Sequence, residues 1–184
     1  MLGWACAALL VLLIGPGPSS AAPALPRPMT AAEVASWLRA LASVRSELQK
    51  AAGVTAQPTG DHVAVTIFGG LPPPIEETFT VTPALDGRWT VERLNHQAGH
   101  PAPERLSYDL PPGSSQLISE LAARKQLYQE PRGQIGTCTD SPIVVVEVVF
   151  RGSRRQAVRT ACPKPDLTGQ LIEAVISAPP DGGR

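Results

Sequence analysis

The chain has 184 residues with 16 basic and 16 acidic side chains, so it lacks the basic excess expected of a nucleic-acid binder. Aromatic residues make up 4%, too few to build large stacking platforms for sugars or bases. Twenty prolines and sixteen glycines imply many sharp turns.

Leu2 to Ile14 (LGWACAALLVLLI) is almost wholly apolar. It falls short of the ~20 apolar residues that span a bilayer as a helix and suits the core of a signal peptide. Gly15-Pro16-Gly17-Pro18 then breaks any helix, and small residues follow. Small side chains at Ser19/Ala21 and at Ala22/Ala24 satisfy the −3 and −1 requirement of signal peptidase. The expectation is a signal peptide over 1–24, cleaved after Ala21 or Ala24, and a single α+β domain over 25–184. The protein would then be periplasmic or secreted. No Lys or Arg precedes the apolar run, which leaves an uncleaved anchor as the rival reading; Cys6 lies too early in that run for a lipoprotein. No second span is visible downstream, so no transmembrane segment is expected in the mature chain.

Cleavage removes Cys6 and leaves Cys138 and Cys162. An even pair in an oxidising compartment predicts one disulfide, which the chain-entropy model makes worth roughly 3–4 kcal/mol. A redox-active pair would more usually be Cys-x-x-Cys, and a zinc site needs more ligands.

In chain order, Thr30-Ala31-Ala32-Glu33 is a capping box. Val34, Trp37, Leu38, Leu41, Val44 and Leu48 recur at helical spacing, predicting a first helix near 31–52 that stops at Gly53. Val63, Val65 and Ile67 alternate with smaller residues, Thr78 to Thr82 alternates cleanly, and Asp86-Gly87 signals a hairpin into Arg88 to Leu94. Leu106, Tyr108 and Leu110 outline an additional edge strand. Ser114 or Ser115 is the expected cap of a second helix reaching Gln129, with Leu117, Ile118, Leu121 and Tyr128 inward. Ile143 to Phe150 (IVVVEVVF) is the strongest strand. A turn at Gly152-Ser153 leads into Gln156 to Ala161 and sets Ile143 opposite Cys162. Asp166 caps a last helix carrying Leu171, Ile172 and Val175. The order α-β-β-β-α-β-β-α predicts antiparallel sheet with helices packed on one face. In element order alone it resembles type III secretion chaperones.

The candidate chemistry is sparse. His62, His96 and His100 invite a metal site, but Gly99 and Pro101 put the last two in a loop without a third ligand. Glu76 and Glu77 are adjacent on a strand and point to opposite faces. No G-x-S-x-G elbow or phosphate loop is present, and nothing nominates a cofactor. Four arginines, Arg151, Arg154, Arg155 and Arg159, crowd the last hairpin and are the candidate contact for an anionic envelope polymer or an envelope protein. The alternative is a charged turn that keeps an edge strand from pairing. The reading is a non-enzymatic binding, inhibitor or chaperone-like accessory protein, bacterial by its Ala-, Pro-, Gly- and Arg-rich composition. The runner-up is an extracytoplasmic hydrolase or metal-dependent enzyme, which would show a polar pocket, for instance with His62 near His96. Intact mass spectrometry of exported protein is expected to place the N-terminus at Ala22 or Leu25 and the mass two hydrogens below the reduced value. A chain retaining Met1 would identify an anchor, and two free thiols would leave the cysteines unbonded.

Overall fold

The run IVVVEVVF is apolar on both alternations, and such a strand needs cover on both of its faces. The computed structural model describes residues 27–54, 58–70, 74–96, 100, 102–136, 138, 141–160 and 166–178. It contains strand β1 (Arg27–Pro28), helix α1 (Ala31–Ala51), β2 (His62–Gly69), β3 (Ile75–Pro83), β4 (Trp89–His96) and β5 (Glu104–Asp109). Helix α2 (Pro112–Ala123), a 3₁₀ turn (Lys125–Gln129), β6 (Gly133–Ile135), β7 (Ile143–Phe150), β8 (Ser153–Thr160) and helix α3 (Leu167–Ile176) follow. All eight strands join one sheet in the order β1-β6-β8-β7-β2-β3-β4-β5, antiparallel except where β6 runs parallel to β8.

The α+β class and the expected element order hold, with β5 as the additional edge strand and two short strands, β1 and β6, that no sequence pattern announced. Helices on one face do not hold. Val63, Val65, Phe79, Val81, Val144, Val146 and Val148 face α2, the 3₁₀ turn and α3 in one core. Met29, Val34 and Val158, with Trp37, Leu38, Ile143 and Val145, form a second cluster on the opposite face, where α1 lies. The physical reason is in the residues read as the polar alternation of β2 and β3. Ala64, Thr66, Thr78 and Thr80 are all buried. The Thr66 and Thr78 hydroxyls lie 3.0 Å apart, and Thr78 donates to the Val65 carbonyl at 3.2 Å. Hydroxyls satisfied within the sheet carry no desolvation penalty, so this face too can lie under a helix.

Local signals were followed closely at α1. The Glu33 amide donates to Thr30 Oγ1 at 3.2 Å and the Thr30 amide to Glu33 Oε2 at 2.7 Å. Arg27 beside Glu33, together with these Thr30 bonds, lowers that carboxyl to about 2. The second helix starts earlier than expected, with Pro112 in its first turn and no side-chain cap, as suits a residue without an N–H to satisfy. Ser115 instead accepts from the Trp89 amide at 3.2 Å. The helix also breaks at Ala123 into the 3₁₀ turn, and Leu117, expected inward, is 45% exposed.

The last hairpin turns at Arg151-Gly152, with φ of 49° and 78°, the two positive values of a type I′ turn. Its register therefore pairs Ile143 with Thr160 rather than with Cys162. Cys162 itself lies outside the described residues, as does the signal-peptide segment.

Gly133 is the close approach on which the β1 edge depends. A Cβ there would lie 2.7 Å from Met29 Cβ and nearer still to Val34 Cγ2, while its carbonyl accepts from the Met29 amide at 3.0 Å. Gly133→Ala is expected to lower stability by about 1–3 kcal/mol through overpacking. Urea unfolding of the two proteins checks it by a fall in midpoint.

Candidate functional site

Strand alternation separates the four arginines of the last hairpin. Arg154 lies opposite Val149, whereas Arg155 and Arg159 lie opposite Val148 and Val144, on the other face. Arg155 is 5% exposed and Arg159 4%. Arg155 Nη2 donates to the carbonyls of Glu130 and Pro131 at 2.8 and 3.1 Å, and burial pushes its guanidinium pKa down. Arg159 Nη2 sits 3.3 Å from Asp166 and 3.8 Å from Glu130.

Those two carboxylates cap the start of α3. Glu130 accepts from the amides of Leu167 and Thr168 at 2.6 and 3.0 Å, and Asp166 from that of Gly169 at 2.7 Å. Arg155 and Arg159 therefore tie the 3₁₀ turn, α3 and β8 together, and do not form part of an exposed cationic tip. Arg151 and Arg154 remain at the surface. Arg151 lies over the Phe150 ring at 5.1 Å, and its amide donates to Asp61 at 2.9 Å.

The histidines are not brought together. His62 opens β2, while His96 ends β4 opposite Glu76, itself opposite Phe68 at the far end of β2. Six residues of register separate them, about 20 Å along the strands, so the polar pocket around His62 and His96 does not form. His62 Nδ1 is 2.8 Å from the Gly60 carbonyl. Glu76 and Glu77 diverge as expected: Glu76 reaches His96 and Glu77 pairs with Arg93. Among the described residues, no three His, Cys, Asp or Glu side chains are grouped to hold a metal ion. No helix among them is long and apolar enough to cross a membrane.

A broad concavity among the described residues was not legible in the sequence. It is a cleft of about 800 Å³ between α2, α3 and the sheet. Ile67 and Val144 form its floor, Leu117 and Leu121 one wall, Ile172 and Ile176 the other, and Ile75 its rim. Polar groups at its margin are mostly engaged already: Glu77 by Arg93, Glu173 by the Ser177 hydroxyl at 2.6 Å, and Arg159 as above. The walls come from helices some fifty residues apart in the chain and the floor from strands farther off still, so no periodicity could place them together.

No family model, curated protein or solved structure matches this chain.

At the far margin of the sheet, His96 Nδ1 lies 3.0 Å from Glu76 Oε2 and Nε2 lies 3.2 Å from the His100 carbonyl. The Glu76 carboxylate first, and then that carbonyl, raise the histidine above its ordinary value of 6.5, since an imidazolium donates to both. A raised folded-state pKa gives stability that is fully present below the unfolded value and lost as pH rises through the folded one. NMR titration is expected to find His96 above 6.5 and to find it lowered in Glu76→Gln.

Proposed function

We propose that this protein is an exported, non-enzymatic binding protein whose ligand is a small apolar molecule of the acyl-chain class, seated in the cleft between α2, α3 and the sheet. The observation that carries the reading is the cleft: about 800 Å³, with aliphatic floor and walls, within the 300–1,000 Å³ typical of small-molecule sites. Walls on three sides favour a narrow chain over a flat protein partner, and exposed Ile75 and Leu117 mark its mouth. Export agrees with this chemistry, because acyl chains are abundant in an envelope.

The disulfide between Cys138 and Cys162 belongs to the same proposal. The Gly136 amide donates to Thr160 Oγ1 at 2.7 Å, which ties the chain two residues before Cys138 to the residue two before Cys162. A bond there would brace the end of β8, which contributes Arg159 and Thr160 to the cleft.

Titration with dansyl-labelled undecanoic acid tests the reading. Saturable binding with a blue-shifted emission is expected. Leu117→Arg should weaken it about tenfold, equivalent to ~1.4 kcal/mol, without moving the unfolding midpoint, because Leu117 is already 45% exposed. The absence of saturable binding, or equal binding by Leu117→Arg and Ile75→Arg, would remove the cleft from consideration.

A further inference from the structure

One row of side chains crosses the floor of the apolar cleft. Arg159 pairs with Val144, Val144 with Ile67 and Ile67 with Glu77, so all four stand on the same face of the sheet. A guanidinium thus lies at one end of the row and a carboxylate at the other. Three strand spacings, about 14 Å, separate them, with two aliphatic side chains between. Glu173 of α3 is the third charged residue of the lining among the described residues.

None of the three offers an unpaired positive charge. Arg159 Nη2 already faces Asp166 at 3.3 Å and Glu130 at 3.8 Å. Glu77 is held by Arg93. Glu173 meets only the Ser177 hydroxyl, at 2.6 Å, among the described residues, and so keeps its negative charge without a cation. A ligand carboxylate drawn onto the floor would lose its water with no unpaired cation to receive it, which is costly. One left near the wall would face Glu173, a like charge.

Arg159 nevertheless keeps capacity to donate. A guanidinium has five N–H groups. Here Nη1 donates to the Val158 carbonyl at 3.0 Å and Nη2 to Asp166, whereas Nε is buried with no hydrogen-bond partner. A buried donor without an acceptor is unfavourable. The group that answers both conditions accepts a hydrogen bond and carries no charge, as an ester carbonyl does.

We propose that the cleft selects acyl esters over free fatty acids, with the ester carbonyl against Arg159 and the chain over Val144 and Ile67. This rests on the reading of the cleft as an acyl-chain site and adds the head group to it. Glu173 is the residue that disfavours a carboxylate. A free acid is held more weakly without being shut out, since its carboxylate can stay in water at the mouth.

Displacement of the bound dansyl probe by methyl undecanoate and by undecanoate, at a pH where the acid is ionised, tests the assignment. The ester is expected to displace the probe at a concentration about tenfold lower than the acid does. Glu173→Gln should narrow that ratio severalfold by strengthening undecanoate, and Arg159→Lys should narrow it by weakening the ester. If Arg159→Lys does not fold, Glu173→Gln, at an exposed helix position, carries the test alone. Undecanoate displacing the probe as well as the ester does, or a ratio unchanged in the folded variants, would overturn the proposal while leaving the cleft as a binding site. No saturable probe binding at all would remove the cleft, and this assignment with it.

Discussion

β7 pairs with β2 from Ile143↔Phe68 to Val149↔His62; β2 buries side chains on both faces, and β7 buries one alternation and half-covers the other, so the pair needs cover on both sides. This double demand for cover organises the rest of the molecule. It draws α1 to one face, α2 and α3 to the other, and moves the polar alternation of the inner strands into the interior. Threonine meets that demand well, because its hydroxyl is satisfied within the sheet while its methyl group contributes apolar contact, as at Thr66 and Thr78. On the opposite face, Trp89 stacks 6.3 Å from Phe150 and its indole N–H donates to Ser119 at 2.8 Å, which ties α2 to the sheet.

The three-layer arrangement creates two cavities of opposite character. Above the valine face, α2 and α3 leave an aliphatic cleft; beneath α1, Arg45, Glu147 and Arg154 border a small polar one. The Glu130, Asp166, Arg155 and Arg159 group frames the first of these by fixing where α3 begins. Such buried ion pairs add little net stability compared with apolar residues of the same shape, but losing one partner typically costs 3–5 kcal/mol. They hold geometry more than they hold the fold.

Features encoded by near neighbours were legible in the sequence. The Thr30–Glu33 capping box, the Asp166 cap of α3 and the Asp86-Gly87 turn all formed where the residues placed them. What depended on distant segments was not. The hairpin at Arg151-Gly152 shifted because a non-glycine residue took a positive φ, a conformation that sequence pattern seldom announces. That shift set Thr160 rather than Cys162 opposite Ile143, yet a shift of two residues leaves each arginine on the face that strand alternation gives it. Four arginines within nine residues looked like one cluster, yet in a strand alternate residues part company. The cleft had no local signature at all, since α2, α3 and four strands meet there only after folding.

The strand order also limits how far this sheet can grow. One boundary carries Pro28 in β1, which has no N–H to offer an incoming chain. The other is β5, where Glu104, Arg105 and Asp109 place charges of both signs along the open margin. A neighbouring molecule that tried to continue the ladder would have to desolvate those charges at one end or forgo a main-chain bond at the other. The sheet is in this sense self-terminating, so this valine-rich protein can stand at high concentration without templated fibril growth.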